Sequence, residues 1–300
     1  MDERFCTVGD VELCYETFGD ASDPALLMAM GLGTQMISWH EELCAMLAAR
    51  GFFVVRFDNR DCGRSTRFDH VRPPTVVELA MRRPRRIAYT LHDMADDAEG
   101  LLASLDIDAA HVVGASMGGM IAQLLAARHP GRVLSLVSIM SSTGSLRSGQ
   151  PALNVYPFFL RRPAAGKEAF VERAVQLFRV VGSPGFDRDE EHLREMAARS
   201  FDRGADAAGT ARQLAAILAT DNRAGALRSI SAPTLIIHGA ADRLVSPSGG
   251  RATARAIRGA RLLMIEGMGH DLPRGAWPQI VDAIADNAAR AGRTVRARAA

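Results

Sequence analysis

The chain has 300 residues, 48% of them hydrophobic and 23% charged, with a formal net charge of +2. This describes a globular chain long enough for one large α/β domain carrying an insertion, and it excludes a disordered polymer. The near balance of charge argues against nucleic acid as the main partner.

The opening Met1-Asp2-Glu3-Arg4 is acidic and no apolar stretch follows it, so a cytoplasmic location is expected. No apolar run reaches the length of a membrane span, so no stable membrane insertion is expected. The four cysteines, Cys6, Cys14, Cys44 and Cys62, lack Cys-x-x-Cys spacing. Reduced thiols are expected, with no metal and no cofactor. A Cys6–Cys14 bridge across a hairpin is the one disulfide the spacing allows.

Residues 3–18 read as a β-hairpin turning at Gly9-Asp10, with the alternation Val11-Glu12-Leu13-Cys14-Tyr15 implying a half-exposed strand. Ala25 to Ala29 is wholly apolar, as in a sheet covered on both faces. It ends in Met30-Gly31-Leu32-Gly33. A helix from Ser38 to Arg50 follows, with Ser38 as N-cap and Glu41 completing a capping box. Trp39 either walls a pocket, with Gly31 beside it on the substrate side, or simply packs.

Phe52 to Phe57 is the next buried strand. Asp58 to Ser65 is a polar run expected to shape its loop through local hydrogen bonds and ion pairs, with no direct catalytic role. Residues 66–88, with the basic run Arg82-Arg83-Pro84-Arg85-Arg86, read as a solvated loop. Leu91, Met94, Ala95, Ala98, Leu101, Leu102 and Leu105 recur with helical period.

Ala110 to Val113 then leads into Gly114-Ala115-Ser116-Met117-Gly118-Gly119, followed by a helix to His129. Strand, tight Gly-x-Ser-x-Gly turn, then helix is the context of a nucleophile elbow. The glycines leave room where backbones crowd, and the strained turn lifts the serine hydroxyl clear of the sheet. The free N–H groups at the helix start, Met117 among them, face any anion forming beside Ser116.

Val133 to Met140 is another apolar strand. Residues 145–230 contain no convincing strand but three helical segments, 169–181, 189–201 and 210–220. They are expected to form a helical cap over the C-terminal edge of the sheet. Phe158, Phe159, Leu160, Val175, Phe178 and Val181 either line an apolar pocket or form that segment's own core. The strand pattern resumes at Pro233 to Gly239, with Ser246-Pro247 as N-cap and N1 of the next helix. Arg261 to Ile265 is the last strand. A helix from Trp277 to Ala289 closes the chain, leaving Arg290 to Ala300 as a frayed tail.

The expected architecture is α/β: a mostly parallel central sheet flanked by helices, with 1–144 and 231–300 as core and 145–230 as cap. Ser116, Asp242 and His270 then fall after the C-terminal ends of parallel strands, on one edge. Their chain order suits a nucleophile, an orienting acid and a base. The backbone N–H groups of Leu32 and Met117 are placed as oxyanion donors. Of eight histidines, His270 stands out by its glycine-flanked loop after the final strand. His111 and His238 lie within strands, where an ordinary role is expected. Glu266 and Asp271 are the rival acids, both too close in sequence to His270.

These pieces resemble α/β-hydrolase-fold enzymes over nearly the whole chain: Met30 to Gly33, Phe57 to Ser65, Gly114 to Gly119, His238 to Asp242, and Gly269-His270. Within that family the chain is similar to capped carboxylesterases, the LipG-type lipase/esterase group and the anthracycline methylesterases. It departs from many relatives in having Met30 where they carry histidine before Gly31. The resemblance implies a serine carboxylic-ester hydrolase acting on a small-molecule ester with an apolar acyl or aromatic part. The same residues would serve a thioesterase, perhydrolase, lactonase or C–C bond hydrolase. A ligand-binding module without turnover is the reading from another class.

Overall fold

In the computed structural model, residues 2–160, 164–220 and 222–299 are described. Among them one sheet has eight strands: β1 (Arg4–Val8), β2 (Val11–Phe18), β3 (Ala25–Ala29), β4 (Phe53–Phe57), β5 (Ala110–Ala115), β6 (Val133–Ile139), β7 (Thr234–Gly239) and β8 (Arg261–Ile265). Their spatial order is β1-β2-β4-β3-β5-β6-β7-β8. β1 and β2 pair antiparallel, as do β2 and β4. Every other pairing is parallel.

The apolar runs are explained by helices on both faces. In β3, Leu27 packs on one side with α3 (Leu91–Ser104) and α4 (Met117–Arg128). Leu26 and Met28 pack on the other with α1 (Glu41–Ala48) and α11 (Trp277–Ala299). A strand buried on both faces has no polar alternation to show. β2 is likewise more buried than its alternation suggests, because it sits second from the edge between β1 and β4; of Val11 to Phe18 only Glu12 is exposed.

Several expectations are corrected. Ser38 does not cap α1; it ends a 3-10 turn, Met36–Ser38, and His40 stands at the cap without a side-chain bond. A short helix, α2 (Val76–Ala80), forms inside the expected loop 66–88, closed by a capping box of Thr75 and Glu78. Pro247, not Ser246, stands at the N-cap of α10 (Ser248–Ala256). α11 continues through Ala299 rather than ending at Ala289, and Ala291 is buried. Cys6 pairs in register with Leu13, so Cys6 and Cys14 are not opposite one another, and all four cysteines are free.

Between β6 and β7 the described residues form no strand. They carry α5 (Tyr156–Leu160), α6 (Lys167–Val181), α7 (Glu190–Asp202), α8 (Ala207–Ala219) and α9 (Ala224–Leu227). Helices α6 and α7 are joined by Phe170 against Phe201 and by Arg194–Glu172 and Arg179–Glu190 pairs. Val175 and Val181 are buried, Phe158 and Phe178 half-buried. The side chains of Phe159 and Leu160 lie outside the described residues.

This helical segment is fastened to the loops that follow the parallel strands. Gln213 accepts from Gly33 N after β3 and donates to Arg60 O after β4. Gln35 donates to Ser200 O. Buried Arg203 and Arg212 pair with Asp58 at 2.9 Å and Asp61 at 2.7 Å. The polar run after β4 therefore shapes its loop as expected, and also anchors the helices above it.

Candidate active site

Ser116 stands between β5 and α4 with φ 55° and ψ −117°, a region L residues avoid. The neighbours force this turn. A Cβ at Gly114 would collide with the Gly118 carbonyl, and one at Gly118 with the Ala29 carbonyl, so strand and helix approach too closely for any side chain. Ser116 N donates to Ile139 O at 2.9 Å, and Ser141 Oγ donates to Ser116 O at 2.8 Å. The strained residue is held from both ends while its side chain stays partly accessible.

His270 Nε2 lies 3.0 Å from Ser116 Oγ, and His270 Nδ1 lies 2.8 Å from Asp242 Oδ2. A carboxylate only accepts, so Nδ1 carries the proton, and Nε2 is left as acceptor for the serine hydroxyl. Asp242 Oδ1 accepts from Leu244 N and Val245 N, each at 2.9 Å. Asp242 is buried, which raises its pKa. The electrostatic attraction of the His270 ring and the hydrogen bonds of His238 and His270 outweigh burial and bring it down to about 2. It is therefore a buried anion aimed at the imidazole.

The turn after β3 is fixed around Gly31. Asn59 Nδ2 donates to Met30 O, Thr34 N and Oγ1 both bond Gly31 O, and Gly33 N is taken by Gln213. Among the described residues the N–H groups of Leu32 and Met117 have no protein partner. Gly31 packs on the serine: a Cβ there would sit 3.2 Å from Ser116 Cβ.

Trp39 is not at this opening. It is fully buried in the cluster that contains Met28, Met30 and Leu43, so the expectation that it contacts substrate is corrected to packing. Of the rival acids, Glu266 is exposed, and Asp271 accepts from Ser183 Oγ instead of meeting His270.

Two features escaped the sequence reading. The strand histidine His238 is fully buried with Nε2 3.3 Å from Asp242 Oδ2. The stretch 181–185, from the last residue of α6 onward, grips the histidine loop: His270 N donates to Val181 O, Gly269 N to Ser183 Oγ, and Gly185 N to Gly267 O. The i,i+4 spacing of His238 and Asp242 was a visible signal; Ser183 gave none. A surface groove of about 750 Å³ lined by Arg72, Val77, Met81, Arg83 and Arg86 shares none of these residues. No described helix is long and apolar enough to cross a membrane.

The elbow serine, the His270 imidazole and the buried Asp242 carboxylate thus stand in line at the C-terminal edge of a mostly parallel sheet. Residues 24–273 match the family described as alpha/beta hydrolase fold, and the chain belongs to that family. It is 32% identical to rhodomycin D methylesterase DauP of Streptomyces sp. strain C5, over 95% of this chain and 97% of that protein. It is 28% identical to 3-oxoadipate enol-lactonase 2 of Acinetobacter baylyi, over 87% of each. The crystal structure of the enol-lactonase from Burkholderia xenovorans LB400 superposes with a TM-score of 0.73 at 25% identity, covering 96% of this chain and 99% of that one. The protein is an enzyme of this hydrolase family.

Proposed function

We propose that the protein is a serine carboxylic-ester hydrolase working through an acyl-enzyme, with Ser116 as nucleophile, His270 as general acid–base and Asp242 as its orienting anion. The observation that carries this reading is the unbroken line from Ser116 Oγ through His270 to Asp242, at 3.0 and 2.8 Å. A serine hydroxyl is a weak nucleophile until a base removes its proton. Nε2 of His270 takes that proton as Oγ attacks the ester carbonyl. The imidazolium formed is stabilised by Asp242 and then protonates the departing alcohol. Water attacks the acyl-enzyme by the same route in reverse roles.

The N–H groups of Leu32 and Met117 hold the oxyanion of each tetrahedral intermediate, a donor of this kind supplying about 3 kcal/mol in the transition state. Residues 145–230 act as a cap that shields the reacting ester and sets its acyl or aromatic part. The full-length likeness to a rhodomycin D methylesterase favours a methyl ester, whose small alcohol leaves easily from under such a cap. The likeness to enol-lactonases supports a second reading, a lactone, in which the leaving oxygen stays tethered to the acyl group.

The test is turnover of p-nitrophenyl acetate, butyrate and octanoate, with aromatic methyl esters alongside. The wild type turns over at least one of them and Ser116→Ala none, while both melt alike. Full activity in Ser116→Ala overturns the mechanism.

A further inference from the structure

The second imidazole on Asp242 is not needed for a serine–histidine–aspartate relay, and its geometry is costly. His238, next to last in β7, has no solvent exposure, and its Nδ1 is buried without a hydrogen-bond partner. The ring leaves no slack, since a Cβ at Gly250 would press on it. An apolar side chain in this strand position would avoid an orphaned ring nitrogen. What the histidine supplies is at the other nitrogen. Nε2 lies 2.8 Å from Val245 O and 3.3 Å from Asp242 Oδ2. Both neighbours only accept, so Nε2 carries a proton.

We propose that His238 is a positioning residue for the reaction, which donates to Val245 O and lies against Asp242 Oδ2, fixing the carboxylate and its turn so that Oδ2 faces His270. The inference rests on the serine-hydrolase reading above. The carboxylate is enclosed by donors. Oδ1 takes Leu244 N and Val245 N, and Oδ2 takes His270 Nδ1–H on one side and the longer approach of His238 on the other. Val245 is tied twice, through its N–H to Asp242 and through its carbonyl to His238. Rotation of the carboxylate would break this set, and loss of the His238 bond to Val245 O frees the turn from Asp242 to Val245. The consequence falls on His270, whose ring is aimed at Ser116 by the bond to Oδ2. His238 touches no substrate, so its effect appears in the chemical step and not in binding.

Glutamine and methionine at 238 separate the donor from the packing. Their lengths are similar, but only glutamine offers an N–H near the position of Nε2. The readout is the rate at which a fluorophosphonate phosphonylates Ser116: Oγ attacks phosphorus, fluoride leaves, and the serine proton passes to His270. Steady-state kcat and KM on the best p-nitrophenyl ester accompany it, with melting temperature as the fold control.

The expected result is that His238→Met slows phosphonylation and lowers kcat by roughly tenfold or more, the scale of a slightly misplaced reacting group, with KM unchanged. His238→Gln returns to within about threefold of wild type. Equal rates in Met and Gln variants, or a loss confined to KM, overturn the positioning role. If both variants fail to fold, His238→Asn is compared with wild type. Its shorter amide does not reach Val245 O and Asp242, so a wild-type rate in a folded Asn variant also overturns the role. A wild type that no fluorophosphonate labels defeats the serine-hydrolase reading itself, and the inference with it. A labelled wild type with an equally fast His238→Met defeats the inference alone.

Discussion

Arg203, at the end of α7, places Nη2 2.9 Å from Asp58 Oδ2 at the end of β4, and neither side chain is open to solvent beyond a few per cent. The same guanidinium reaches Glu3 and Gln35, and Asp58 also accepts from Met36 N and Arg64 N. Burial pushes the Asp58 carboxyl up, and the Arg203 charge works against that. Removing the cation leaves a buried anion uncompensated. Arg203→Met is therefore expected to destabilise the protein by roughly 3–5 kcal/mol in urea unfolding. The double variant Arg203→Met/Asp58→Asn should recover part of that loss, because the buried charge goes with its partner. A single variant as stable as wild type would show that this pair does not anchor the helices.

Stability should fall with acid in two windows. His40 and His111 are held down to about 4 from 6.5, burial being the main cause, with His192 and Arg274 adding to it at His40. A buried neutral base of this kind lets the unfolded chain bind protons first. Stability that is whole above pH 6.5 is thus lost as pH falls toward 4. Asp242, brought down to about 2 against the effect of burial, contributes stability that is whole above its ordinary 3.8 and lost as pH falls toward 2. Melting temperatures between about pH 7.5 and 4.5 should decline, and His40→Gln should flatten the decline. A variant with the wild-type slope would contradict the assignment.

Ser183 should matter to turnover although it lies in the helical segment. It accepts from Gly269 N at 2.8 Å and donates to Asp271, on either side of His270. Ser183→Ala frees the histidine loop from the end of α6. kcat is expected to fall by about 10- to 100-fold, with a small change in KM, since a reacting group is displaced. Unchanged kcat would mean that the backbone bonds of Val181 and Gly185 hold the loop unaided.

Thiol chemistry tests the core beside the site. Burial pushes Cys14 and Cys44 up to about 12, with Asp58 adding to the effect at Cys14, and raises Cys62 as well. Cys6 is half-buried and also raised by burial. In the native protein a thiol reagent should modify Cys6 at most, slowly, and all four cysteines after denaturation. Fast native labelling of Cys14 would contradict its burial in β2, where Arg203 Nη2 lies 3.9 Å from its Sγ.

The chemistry was legible where local backbone demands fix residue types. Gly114 and Gly118 are required by a turn too tight for Cβ atoms; Asp242 follows the wholly buried apolar strand β7, and His270 stands out by the glycine-flanked loop after the edge strand β8. For Trp39 the sequence could not decide between pocket wall and packing, because proximity to Gly31 says nothing of which way a side chain turns; here it turns into the core with Met28 and Leu43. The α1 start was misplaced because Ser38-Trp39-His40-Glu41 meets the capping-box pattern while tertiary packing winds Met36 to Ser38 into a 3-10 turn. Long-range partners carried no local signal. Arg203 with Asp58, Arg212 with Asp61, and Ser183 with the histidine loop join segments far apart in sequence, and any exposed-looking arginine or serine would have read the same.

Whether Ser116 is an activated nucleophile is read from intact-protein mass after incubation with a fluorophosphonate. One adduct is expected, mapped to Ser116 by peptide analysis, absent in Ser116→Ala and formed alongside p-nitrophenyl ester turnover. An adduct on another residue, or an unlabelled protein that also turns over no ester, would contradict that activation and leave the line from Ser116 to Asp242 as architecture without chemistry.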